Sequence, residues 1–149
     1  MKDKVKRLLI LSIMIISLSF ISLADGATWI NYNTDREANK DYYDAESITY
    51  PAKGIVRVWE RRIYSTAGLK SLEKNFGIKG ATVSEGRSLD EVNCLTREYR
   101  MTNIMALDSS GEIVFNVKDE MFHDGDWEAI SPESIIELLY NEVCKKGKP

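Results

Sequence analysis

Between Ile55 and Tyr64 the chain alternates in a way that suits one kind of strand. Ile55, Trp59 and Ile63 fall on one parity with Arg57 and Arg61, and Val56 and Val58 fall on the other. A strand with apolar groups on both faces belongs in the middle of a sheet rather than at its edge. The rest of the chain must therefore supply partners for it. Thr28 to Asn33 reads as one, with Trp29 and Tyr32 as strand formers. Tyr42, Tyr43 and Ser47 to Tyr50 read as a second strand, closed by Pro51 and the Lys53-Gly54 turn. Leu89 to Leu107 reads as a long strand or strand pair. Val92, Cys94, Ile104 and Ala106 lie on one parity, and Leu95, Tyr99, Met101 and Met105 on the other, so a central bulge would let both sets face a core. Asp108-Ser109-Ser110-Gly111 is a hairpin turn, and Glu112 to Val117 is the returning strand.

Two segments have helical spacing. In Ala67 to Phe76 the apolar residues are Leu69, Leu72 and Phe76, with Gly77 as the expected C-cap. Residues 77–88 contain three glycines and no period, and are expected as an exposed loop. The C-terminal segment offers Ser131 as N-cap, Pro132 at the first helical position and Glu133 against the dipole. Ile135, Ile136, Leu139 and Val143 then form a stripe flanked by Leu138 and Tyr140, and Cys144 falls off it. Strands joined by short turns make an antiparallel sheet. The terminal helix must cover one face of it, so the class is α+β.

The first residues bear on location. Lys2, Lys4, Lys6 and Arg7 precede an apolar run from Leu8 to Leu23, which ends in small residues at Ser22, Ala24, Gly26 and Ala27. This is the order of a secretory signal peptide, residues 1–24, with cleavage expected near 24–26. The competing reading is an uncleaved N-terminal anchor, although the run is short of the roughly 20 apolar residues that span a bilayer. With no cysteine near the cleavage region, lipid attachment there is not expected. The expected location is periplasmic or secreted. Removing residues 1–24 leaves 16 basic and 22 acidic residues, a formal net charge of −6. That balance argues against nucleic acid as a partner.

Cys94 and Cys144 are the chain's two cysteines. An even number in an exported chain reads as one disulfide. It would close a loop of about 50 residues, worth about 4 kcal/mol in the chain-entropy account. A metal pair or a catalytic thiol would need a CxxC or a neighbouring histidine, and neither is present.

Other chemistry is thin. The single histidine, His123, sits among acidic residues in Asp119 to Asp126, without a second His or Cys to complete a ligand set. Asp108 to Glu112 is too short for a calcium loop. No glycine-rich phosphate loop and no Gly-x-Ser-x-Gly elbow occurs. No catalytic residue, cofactor or metal is therefore expected. Arg57, Arg61, Arg62, Arg97 and Arg100 interleave with Trp59, Tyr64 and Tyr99 on expected strands. If Arg57 and Arg61 share a face with Trp59, they make a cationic–aromatic strip suited to protein contact. Cross-strand pairing of the arginines with Glu60, Glu91 and Glu98 is the plainer alternative.

The landmarks follow a recognisable order. Trp29-Ile30-Asn31-Tyr32 comes first, then Tyr43-Asp44 with Ser47-Ile48, then Val56-Arg57-Val58-Trp59. Cys94, Tyr99-Arg100, the Asp108–Gly111 turn, Trp127, Ile130-Ser131-Pro132-Glu133-Ser134 and Cys144 complete it. This order resembles the bacterial surface-adhesin protein E-like domain family, over roughly residues 28–145. The resemblance implies an antiparallel sheet backed by helices and a Cys94–Cys144 disulfide. It also implies a non-enzymatic, adhesin-like domain that contacts extracellular or envelope proteins and can pair as a homodimer.

Overall fold

The computed structural model describes residues 26–76, 83–118 and 127–146. The expected signal segment, the Gly77 cap and His123 lie outside the described residues. Eight strands form one antiparallel sheet among the described residues. They are β1 (Trp29–Thr34), β2 (Lys40–Asp44), β3 (Thr49–Ala52), β4 (Ile55–Ile63), β5 (Glu85–Asn93), β6 (Glu98–Leu107), β7 (Ile113–Lys118) and β8 (Glu128–Ala129). Two α-helices accompany them, α1 (Thr66–Phe76) and α2 (Ile135–Lys146). The strand order is β1-β2-β4-β5-β6-β7; β3 pairs with β4, and β8 with β6.

β4 is central, and its alternation is the one its sequence shows. Val56, Val58 and Glu60 are buried between less buried neighbours. Both of its edges are used. β5 pairs along its whole length, while β3 and β2 share the opposite edge, Ile55 and Arg57 going to β3 and Glu60 to Ile63 to β2.

The second expected strand is in fact two. Asp44 breaks it by capping a short 3-10 turn, Ala45–Ser47, where its carboxylate accepts from the Glu46 amide at 3.1 Å. The Ser47 hydroxyl then accepts from the Trp59 amide at 2.9 Å, which ties the turn to β4. The loop expected over 77–88 is also shorter at its end, because Glu85 to Ser88 pair in register with Ile63 to Glu60. Cross-strand pairing overrode a local sequence with no clear alternation.

β5 and β6 are a hairpin through residues 94–97, and the expected bulge is present. Leu89 pairs with Asn103 but Asp90 with Met101, so Thr102 is the extra residue. Its hydroxyl donates to the Leu89 carbonyl at 3.1 Å. The bulge moves Tyr99 and Met101 onto the same face as Ile104 and Ala106.

That face is covered by α2. Tyr43, Val56, Val58, Val92, Ile130, Leu139 and Val143 form the buried cluster, with Tyr32, Ile136, Tyr140 and both cysteines packed against it. The helix starts later than Ser131 and Pro132 suggest. Glu133 adopts φ 60°, which breaks a helix there, and Ser134 is the effective cap. Its hydroxyl accepts from the Glu137 amide at 3.1 Å, while the Glu137 carboxylate accepts from the Glu133 amide at 2.8 Å. α1 docks by a close approach at Gly68, where an added Cβ would collide with Asn39 Oδ1. That oxygen accepts from the Ser65 amide at 2.9 Å, and the Ser65 hydroxyl accepts from the Gly68 amide at 3.0 Å.

The disulfide joins Cys94, in the β5–β6 turn, to Cys144, with Cα atoms 5.6 Å apart. The covered stripe of α2 is wide enough to include Tyr140 and Cys144. Neither a frayed helix end nor a long reach is needed. Two variants test this architecture. Replacing both cysteines with alanine should lower unfolding free energy by about 2–5 kcal/mol. Leu139→Ala, which empties a fully buried site, should cost about 2–5 kcal/mol. Denaturant titrations of each purified variant measure both.

Candidate functional site

The face of the sheet opposite α2 and α1 holds a continuous set of arginines and aromatic rings. Arg57, Trp59 and Arg61 project there from β4, directly opposite Glu91, Leu89 and Arg87 of β5. Tyr42 of β2 pairs with Arg61, and Arg100 of β6 pairs with Glu91. The three residues expected as a contact strip are thus brought to one face.

Two clusters organise it. In the first, the Arg61 guanidinium carbon lies 4.5 Å from the ring centroid of Trp29 and 4.8 Å from that of Tyr42. Arg87 approaches the same Trp29 ring at 5.8 Å and pairs with Glu85. Stacking of this kind is electrostatic attraction of a cation to the ring face. In the second, Glu91 Oε1 accepts from Arg57 Nε at 2.8 Å, and Glu91 Oε2 accepts from Arg100 Nε at 2.9 Å. Arg100 also lies 4.8 Å over the Trp127 ring. Burial of Glu91 works against its charge, but hydrogen bonds from Arg100 and Arg57 outweigh it and hold the carboxyl below its ordinary range.

The plainer expectation of cross-strand pairing is met only at Glu91. Glu60 lies on the helix-covered face, and Glu98 accepts from the Thr96 hydroxyl at 2.6 Å. Arg62 is on the covered face too, bound to Asp41 at 2.8 Å. Arg97, at φ 58° in the hairpin turn, stacks on Tyr140 and pairs with Glu137. Sequence reasoning missed Trp29, Tyr42, Arg87 and Trp127 as members of the surface. Counting parity outward from Arg61 would have found Tyr42 once β2 was placed, whereas Arg87 was hidden in the supposed loop.

The covered face has its own polar cluster. The Tyr32 hydroxyl donates to Glu60, and the Asp90 carboxyl lies beside Glu60. Asp90 is 1% exposed, and its Oδ1 receives no N–H or hydroxyl donor, although Ser88 donates to its Oδ2 at 2.9 Å. Two ionised carboxylates are acceptors only and repel at close range, which disfavours charge on both. Burial first, and the charge of Glu60 second, raise Asp90 well above its ordinary range; burial also raises Glu60. Beside this cluster lies a cavity of about 330 Å³ lined by Asp41, Glu60, Arg62, Ile104, Phe115 and Ile135, among others.

Among the described residues, no group of three or more His, Cys, Asp or Glu is placed to hold a metal ion, and no helix is long and apolar enough to cross a membrane. The sequence model of the surface-adhesin protein E family matches residues 29–145, from the first residue of β1 almost to the end of α2. The chain belongs to the surface-adhesin protein E family. Comparison with curated proteins and with solved structures found no match. Membership attaches the fold to a surface-adhesin class, whose description is one of attachment rather than catalysis.

The buried carboxyls give a pH signature. A carboxyl raised in the folded state keeps its proton longer there than in the unfolded chain. Its unfavourable contribution is absent below about pH 4 and grows as pH rises through and above that range. Glu91, held low, acts in the opposite sense, contributing stability that is lost as pH falls. Asp90→Asn removes only the first effect and supplies an amide donor. It should match the parent near pH 4 and exceed its stability at pH 8 by about 1–3 kcal/mol, the cost of an unsatisfied buried polar group. Urea titrations at both pH values measure the difference.

Proposed function

We propose that this chain is an exported, non-enzymatic binding domain that contacts proteins at the cell envelope through the open face of its sheet. The observation that carries the reading is where the tryptophans are. The chain has three, and all three lie half-buried on the open face, Trp29 against Arg61, Trp59 between Arg57 and Arg61 on β4, and Trp127 under Arg100. None belongs to the buried core. Tryptophan, tyrosine and arginine are the residues in which protein-binding energy concentrates, because they bury large areas and keep a polar edge. A domain that keeps its largest rings out of its own core holds them for another surface. Family membership and the basic–apolar–small order of residues 1–27 support attachment outside the cytoplasm.

The test has two parts. Purified domain is screened against extracellular-matrix and envelope proteins and against itself, with Trp59→Ala and Arg57→Ala in parallel. The expected result is saturable binding that Trp59→Ala weakens by about 30-fold, a hot-spot loss of about 2 kcal/mol. A folded protein that binds nothing, or binding indifferent to both substitutions, would sink the reading. Intact mass of the cellular protein addresses location. A mass beginning at Asp25 or Ala27 supports an exported soluble domain, periplasmic or secreted. Retention of Leu8 to Leu23 instead makes the chain a membrane-tethered accessory of an envelope complex.

A further inference from the structure

We propose that Arg61, held against Trp29 and Tyr42, is a receptor for a carboxylate presented by an aspartate or glutamate side chain of the protein partner. The inference rests on the open face being the contact surface and names what that face recognises.

Each other arginine of the face has an acidic partner. Arg57 and Arg100 share Glu91, and Arg87 holds Glu85. Arg61 has none among the described residues. Its Nε is buried with no acceptor within reach, and its contacts are the two rings. The acidic groups nearby are already engaged. Glu91 lies between two guanidiniums, and Asp44, cross-strand from Trp29, accepts from the Thr28 and Glu46 amides at 2.9 and 3.1 Å. The fold thus leaves one guanidinium unneutralised at the end of the strip.

The rings decide what can neutralise it. A guanidinium has five donors in one plane and none out of it. With two rings close to the guanidinium carbon and Nε buried, the edge formed by the two terminal nitrogens is the place for an acceptor, and a planar two-oxygen carboxylate fits it by two parallel bonds. Stacking also fixes the side chain before any partner arrives, so less conformational freedom is lost on binding. Net charge favours one carboxylate over a polyanion. Without residues 1–24 the chain carries −6, and a densely sulfated chain would meet that field at every other point of the surface. A single acidic side chain in an otherwise apolar epitope meets only the local cation and the flanking rings.

The full exported domain is titrated with N-acetylglutamate methylamide at millimolar concentration while the Arg61 Nε–H and Trp29 indole N–H resonances are followed by NMR. A heparin hexasaccharide is titrated in parallel. Saturable movement of both resonances with the carboxylate, with the Trp29 resonance unmoved in a folded Arg61→Lys variant, is the expected result. Lysine keeps the charge but loses the fork and the stack. No movement with the carboxylate, equal movement of the Trp29 resonance in Arg61→Lys, or tighter response to the hexasaccharide would overturn the proposal, the last in favour of a polyanion. With a partner from the protein screen, Arg61→Lys should weaken binding by at least about tenfold, the equivalent of 1.4 kcal/mol. If Trp59→Ala abolishes binding and Arg61→Lys leaves it intact, the open face stands and the carboxylate receptor falls. If neither matters, the reading of the face itself falls.

Discussion

Everything else in this molecule depends on α2 covering one face of the sheet. Leu139 and Val143 share one buried cluster with Val58 and Val92, and all four are almost fully buried. Full burial of such side chains is worth about 1.5–3 kcal/mol each, and no other contact in the described structure brings together so many dry residues. Once the helix is placed, the remaining ties run along its length, from Glu137 to Cys144. Cys144 meets Cys94, Tyr140 donates to the Cys94 carbonyl at 3.3 Å, and Arg97 pairs with Glu137. The hairpin turn after β5 is therefore bound to the helix by a covalent bond, a hydrogen bond and an ion pair.

Covering one face settles what the other can be. In β4 the residues alternate strictly, so a register in which Val56 and Val58 are dry puts Arg57, Trp59 and Arg61 together on the far side. A one-residue slip would bury two guanidiniums under α2, at a cost of several kcal/mol for each unpaired ion. The arginines thus contribute to the fold by making the wrong register expensive. The surface strip and the core are consequences of one periodicity.

This explains how much of the chain could be read in advance. The β4 alternation, the bulge that reconciles Tyr99 with Ile104, the Asp108–Gly111 turn and the stripe of α2 are local patterns of two to four residues, and each was legible. The misplaced boundaries have non-local causes. Glu85 to Ser88 are strand because Ile63 to Glu60 lie beside them, not because their own sequence alternates. The helix begins at Ile135 because Glu133 takes a left-handed conformation that propensity at Ser131 and Pro132 does not reveal. The surface was half legible for the same reason. Arg57, Trp59 and Arg61 lie on one strand and declare a face by parity, whereas Trp29, Arg87 and Trp127 join it only through pairings that span the chain.

The two faces also divide the charge. On the covered side the ionisable groups are predominantly acidic: burial raises Glu60 and Asp90 toward their neutral forms, and Asp41 takes Arg62. Within the strip on the open side, Arg57, Arg61, Arg87 and Arg100 face two carboxylates, Glu85 and Glu91, and Arg61 is placed on aromatic rings rather than paired. An acidic domain with a cationic, ring-lined face presents a local field opposite in sign to its overall one. At long range such a surface repels polyanions and basic surfaces gain no hold on the strip. At contact it rewards a partner whose acidic group is isolated and surrounded by apolar surface. Discrimination of this kind comes from the combination of net charge and local charge, and neither alone would provide it.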